Sequence, residues 1–193
     1  MPCFTKLDTY DPETGNLNLI IETPQGSRNK YKYDPDHRIF RVHGLLPVGS
    51  VFPYAFGFIP STLGEDGDPV DVLVIMEEPA PGGFLVPARL IGVIEAEQTE
   101  DGKTERNDRL IALSTESHHH KGMNSLNDLG NEILDEIEHF FVSYNLLHGK
   151  KFKAIGRYGP GRAQKLVKEG QDRFDKKKSS RKKRKKQEAN AAG

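Results

Sequence analysis

Three carboxylates, Asp66, Asp68 and Asp71, fall within six residues and run directly into an apolar segment, residues 70–76. Gly67 permits a tight turn and Pro69 biases Asp68 toward extended backbone, so the three acids leave a turn at the mouth of a strand. Like charges this close repel, and a hard cation removes that cost. Ligands made only of oxygen suit Mg²⁺, Mn²⁺ or Ca²⁺ and not the softer metals. On spacing alone the plainer reading is that Asp-Gly and Asp-Pro are turn signals. An EF-hand is excluded, because Val70 and Asp71 stand where its loop needs Asp or Asn and then Gly.

The elements that must position these acids are strands first and helices last. Extended runs are expected at residues 17–22, 30–33, 39–42, 70–76, 84–88, 90–97 and 109–113, with a Gly/Ser turn over 24–29. Many short strands broken by Gly and Pro, without alternating helices, predict a small antiparallel barrel rather than a parallel α/β sheet. The helical signal is strongest over residues 125–145, where Leu126, Leu129, Ile133, Ile137, Phe140, Phe141 and Tyr144 recur at spacings of three and four. Ser125 and Asp128 have capping-box spacing, and Gly149 lies beyond the end. A second, short helix is expected over 161–168, between Pro160 and Gly170. The expected class is therefore α+β, with one long and one short C-terminal helix packed outside the barrel.

At 193 residues and 35% hydrophobic content the chain has material for one domain with a core. No stretch approaches the roughly 18 apolar residues of a membrane span. The beginning of the chain lacks a basic segment followed by an apolar run, and Cys3 is the one cysteine, so a reducing, cytoplasmic setting is expected. The formal net charge of zero conceals a division. Nine basic residues lie in 176–186, which leaves nineteen basic against twenty-seven acidic residues in 1–175, a body about eight charges negative. The reading is a domain over 1–170 and a disordered basic tail over 171–193. That tail is a candidate arm for nucleic acid or another acidic surface; the alternative is a solubilising appendage.

The order Glu22-Thr-Pro-x-Gly-Ser-Arg-Asn-Lys30-Tyr31, then Phe52-Pro53-x-x-Phe56-Gly57-Phe58-Ile59-Pro60, then Thr62-Leu63-Gly64-Glu65-Asp66-Gly67-Asp68-Pro69-Val70-Asp71 resembles the soluble family I inorganic pyrophosphatases. The resemblance spans about residues 17–170. It implies a five-stranded OB-like barrel, hydrolysis of pyrophosphate to two phosphates, several Mg²⁺ ions with Mn²⁺ as the alternative, and homo-oligomers, often hexamers in bacterial members. Carried over by position, it implies Asp66 and Asp71 as metal ligands, Asp68 as the residue that orients and deprotonates the attacking water and as a further metal ligand, and Glu22 as a carboxylate for another metal. It also implies Lys30, Arg109 and Tyr144 as phosphate contacts.

The departures are as informative. Gly44 stands where the family has an Arg, and Phe52 and Phe56 where it has tyrosines. Lys32 stands where a Glu is common, and Asn145 where a Lys is common. Two metal carboxylates of the family fall near Gln98 and Asn107, with Asp108 the expected substitute ligand. Lys32, Arg41, His43, Lys150 and Lys151 are the cationic candidates to restore phosphate binding, and Lys151 joins the expected substrate contacts. Thinning of the substrate clamp leaves a different phosphate substrate as an alternative. A non-enzymatic OB-type nucleic-acid-binding protein is another, against which the acidic body counts. His118, His119 and His120 read as a solvated loop, since adjacent rings rarely converge on one ion.

Overall fold

A computed structural model describes residues 3–191, and the side chains of residues 3–180. The strands are β1 (Leu17–Thr23), β2 (Asn29–Asp34), β3 (Ile39–Leu45), β4 (Ala55–Phe58), β5 (Asp71–Ile75), β6 (Leu85–Glu100), β7 (Lys103–Arg106), β8 (Arg109–Ser114) and β9 (Lys151–Tyr158). The helices are α1 (Asn131–Leu146) and α2 (Pro160–Ala191), with 3-10 turns at Phe4–Lys6 and Leu126–Leu129.

Strands β1, β4, β5, β8 and β6 pair in that order, and β1 pairs back to β6, which closes a five-stranded barrel. The pairing of β5 with β8 is parallel and the other four are antiparallel, a departure from the all-antiparallel expectation. The segments expected as two strands at 84–88 and 90–97 form the single 16-residue β6. Its length lets it serve β1, β8, β9 and β7 in succession, and an irregularity between Leu90 and Gly92 bends it round the barrel. Strands β2 and β3 make a separate hairpin.

Alternation along the strands sorts the core. Leu19, Ile21, Ala55, Val72, Val74, Val86, Val93, Leu110 and Ala112, drawn from all five barrel strands, meet in one buried cluster with Ala163 and Val167 of α2. The intervening residues Leu73, Ile75, Ile111 and Leu113 face outward and are covered by Leu134, Ile137 and Phe141 of α1 and Phe152 of β9. The 3.6-residue periodicity therefore has its ordinary use, packing a helix on the barrel. The capping pair serves the 3-10 turn rather than α1: Ser125 N–H and Oγ both donate to Asp128 Oδ2, at 2.8 and 3.0 Å. Gly130, at φ 82°, then separates the turn from α1.

The second helix corrects the expectation. It does not end at Gly170 but continues to Ala191, so residues 171–191, expected without structure, are helical. Gly170 marks close packing instead of a stop, because a Cβ there would lie 2.8 Å from Val70 Cγ2 and 3.3 Å from Thr62 Cβ. Arg173 Nε donates to the Leu63 carbonyl at 2.7 Å and ties the next turn to the loop ahead of the acidic motif. Beyond it, Lys, Arg, Gln, Glu and Ala are good helix formers, which carries the helix on. Among the described residues, no helix is long and apolar enough to cross a membrane.

Candidate active site

The acidic turn forms as its residues dictate. Gly67 takes φ 90°, Asp66 Oδ1 accepts the Asp68 N–H at 3.0 Å, and the Gly64 N–H closes the loop on the Asp68 carbonyl at 2.6 Å. Asp71 is the first residue of β5, and Arg109 is the first of β8, the parallel neighbour of β5. Their side chains consequently meet: Arg109 Nη1 donates to Asp71 Oδ2 at 3.1 Å. The guanidinium is nearly buried and lies 4.9 Å from the centre of the Phe141 ring.

One cavity of about 310 Å³ gathers most of the expected residues: Glu22, Lys30, Asp66, Asp68, Asp71, Arg109 and Tyr144 all line it. Lys30 Nζ sits 5.3 Å from the centre of the Tyr144 ring, which ties the hairpin to α1 across the opening. Phe52 and Phe56 build an aromatic wall with Phe140, Phe141 and Tyr144, at ring separations of 5.4 to 6.1 Å. Gly44 also lines the cavity, opposite Lys30 in the hairpin register, and presents no side chain there.

Two expected residues fall elsewhere. The carboxylate of Asp108 turns away from this cavity, accepting the Ala96 N–H at 3.0 Å and pairing with Arg106 at 2.9 Å. Asp108 lines instead a neighbouring cavity of about 300 Å³ against α2, where Glu95 pairs with Arg106 at 2.8 Å and Arg162 at 2.6 Å. Asp66 and Asp71 line that second cavity as well, so Asp108 stands on their far side, while Asn107 and Gln98 face the first cavity as amides, bonded to each other at 2.7 Å. Lys151 is exposed on β9 and lines neither cavity, whereas its neighbour Lys150 takes the inward place. Of the other cationic candidates, Lys32 and His43 line the site as well, while Arg41 is occupied by Asp34 at 2.9 Å. The Asn145 amide bonds back to the Phe141 carbonyl. His119 and His120 engage Glu77 and Ser117 in a loop apart from the site.

Lys32 makes the contact that the sequence left unpredicted: its Nζ lies 2.5 Å from Asp68 Oδ2. Burial alone would lower the lysine, yet the bond to Asp68 and the nearby charges of Asp68, Glu22 and Asp71 raise it above its ordinary range. Glu22 moves further. Burial pushes it up to about 7, the Tyr33 N–H at 2.6 Å resists, and the charge of Asp71 adds to the rise. Loss of solvent raises Asp66 in the same way, against the Asp68 N–H and with the charges of Asp68 and Asp71. Burial, with Lys30 and Lys32 close by, lowers His43.

The oxygen donors suit a hard divalent cation. Among the described residues no three acidic, histidine or cysteine groups converge closely enough to hold an ion as they stand. Glu22, Asp66, Asp68 and Asp71 nevertheless line one cavity, where burial and the charge of Asp71 make an ionised Glu22 costly and a cation beside it would offset that cost.

A family model described as inorganic pyrophosphatase matches residues 19–175. An inorganic pyrophosphatase of Halalkalibacterium halodurans is 42% identical over 142 residues, covering 74% of this chain and 84% of that protein. One of Synechocystis is 38% identical over 145 residues, covering 75% and 83%. The crystal structure of the inorganic pyrophosphatase from Thermus thermophilus superposes with a TM-score of 0.82 at 31% identity, covering 90% of this chain and 99% of that one. With the acidic turn, its cavity and its barrel all in the matched region, the chain belongs to the inorganic pyrophosphatase family.

Proposed function

We propose that the chain hydrolyses inorganic pyrophosphate to two phosphates with a divalent cation, Mg²⁺ being the first choice and Mn²⁺ the alternative. One observation carries the reading: a single cavity sets four carboxylates, Glu22, Asp66, Asp68 and Asp71, beside Lys30, Arg109, Lys150 and Tyr144. Asp66, Asp68, Asp71 and Glu22 would hold the metal. Bound there, a divalent cation lowers the pKa of a coordinated water toward neutrality and offsets charge on the phosphoryl group.

The chain's own residues supply the rest. Asp68 orients the attacking water and takes its proton. Arg109 is held by Phe141 and Asp71, so its remaining guanidinium face meets phosphate without first losing conformational freedom. Lys30 brings further positive charge to the same opening and Lys150 lines it paired with Glu100 at 2.9 Å, while the wall of Phe52 and Phe56 excludes water without donating hydrogen bonds. Binding is thereby weakened more than water activation. Cys3 without a disulfide partner supports a cytoplasmic setting. Exposed Val142, Leu146 and Leu147 on and just past α1 support a homo-oligomer.

Phosphate release from Mg-pyrophosphate by the purified protein tests the reading, beside Asp71→Asn and a panel of nucleotides and sugar phosphates. Metal-dependent release from pyrophosphate, reduced on the order of 100-fold or more in Asp71→Asn, is expected. No such release from pyrophosphate would sink it, and faster release from another phosphate would transfer the site to that substrate.

A further inference from the structure

Two of the four carboxylates in the cavity already have a protein cation, and the two cations are held differently. Arg109, at Asp71, is nearly buried and pinned against the Phe141 ring. Lys32, at Asp68, is half-exposed on β2, and Asp68 is the one hydrogen-bond partner of its ammonium among the described residues. Its four-carbon stem can swing; the packed guanidinium cannot. Glu22 and Asp66 form no ion pair among the described residues. Elsewhere on the lining, Gln98 and Asn107 are neutral and bonded to one another, so they supply no negative charge to balance an additional cation.

A divalent ion approaching Asp68 therefore meets a positive charge already in place. We propose that Lys32 competes with metal at Asp68: it holds that carboxylate in the metal-free protein, and metal loading releases its ammonium to the phosphate oxygens of the substrate. Lys30 and His43 line the same cavity, so the released ammonium stays among groups that face an anion. The device would couple substrate grip to metal occupancy. It rests on the metal-dependent hydrolysis proposed above.

Mn²⁺ binding to the full chain without substrate tests the first half, read by calorimetry and by the paramagnetic resonance signal of free Mn²⁺. Lys32→Gln and Lys32→Met should each bind Mn²⁺ roughly fivefold more tightly, the scale of removing one half-exposed charge from an ion pair. Lys32→Arg should return the affinity to the native value or below. Lys30→Gln, which removes an equal charge resting over Tyr144, should change it less than about twofold. Unchanged or weaker Mn²⁺ binding in both charge-free variants overturns the proposal, as does an equal gain in Lys30→Gln. At saturating metal, Lys32→Gln should raise KM for Mg-pyrophosphate severalfold, and an unchanged KM overturns the second half. Because the Mn²⁺ titration contains no substrate, a native protein that releases no phosphate sinks the hydrolytic reading alone. Hydrolysis without the affinity shift sinks the role of Lys32 alone.

Discussion

Asp68 and Asp71 stand three residues apart and have different tasks, which geometry already separates. Asp71 begins a strand and is fixed by Arg109, whereas Asp68 sits in the turn with its carboxylate held by one half-exposed lysine. A group that must accept a proton from water needs that freedom, while a metal ligand needs the fixed strand. Asp68→Asn should accordingly lose less metal affinity than Asp71→Asn and lose on the order of 10²–10⁴ in kcat, the ordinary worth of general base catalysis. Asp71→Asn should weaken metal binding as well as turnover. Metal titration beside steady-state kinetics distinguishes them, and equal losses of metal affinity in both variants would refute the division. Glu22, also proposed for the metal, differs from Asp71 in its burial, which makes it sensitive to the cavity's charge.

At the level of elements, α2 is the support of the acidic turn. Its contact at Gly170 has no room for a methyl group, so Gly170→Ala should destabilise the protein by about 1–3 kcal/mol in urea unfolding, even though alanine favours the helix by up to about 1 kcal/mol. A stabilised variant would show that Val70 and Thr62 yield. Arg162 of α2 joins Arg106 on buried Glu95, and this clamp carries a pH signature. Burial alone would raise Glu95, but the two guanidinium bonds outweigh it and hold the carboxyl below its ordinary value. A depressed folded pKa contributes stability that is present above the unfolded value, about 4.3, and is lost as pH falls through the folded one. The gap in urea midpoint between native protein and Glu95→Gln should therefore be widest near neutrality and close below about pH 4; a gap independent of pH would rule out the clamp. The barrel strands and α1 were legible because hydrophobic alternation and 3.6-residue spacing are local signals. The closure of β1 onto β6, the parallel β5–β8 pair and the passage of α2 through Gly170 were not, since each depends on partners far along the chain. The same distinction holds in the site. The acidic motif identified its own residues, while the choice between Asn107 and Asp108 for the inward place depended on how the chain enters β8, and Asn107 took it.

For the molecule as a whole, the division of charge now coincides with a division of structure. The described contacts of α2 with the barrel reach Arg173, and residues 175–180 are exposed, so the helix leaves the acidic body where the basic run begins. Lysines at 176–178 share an extended stretch with the basic residues to 186, and like charges three and four apart weaken an isolated helix. None of the described side chains of that run lines the cavity of Asp66, Asp68 and Asp71. Removal of residues 176–193 should therefore leave kcat and KM for Mg-pyrophosphate within about twofold at moderate salt, while the body, about eight charges negative, loses whatever affinity the full chain has for polyanions. Phosphate release by both forms, set beside their retention on duplex RNA across a salt series, measures the two properties separately. If truncation abolished hydrolysis, the basic run would belong to the catalytic unit; if it left a steep salt-dependent retention untouched, the anion-binding surface would lie on the barrel.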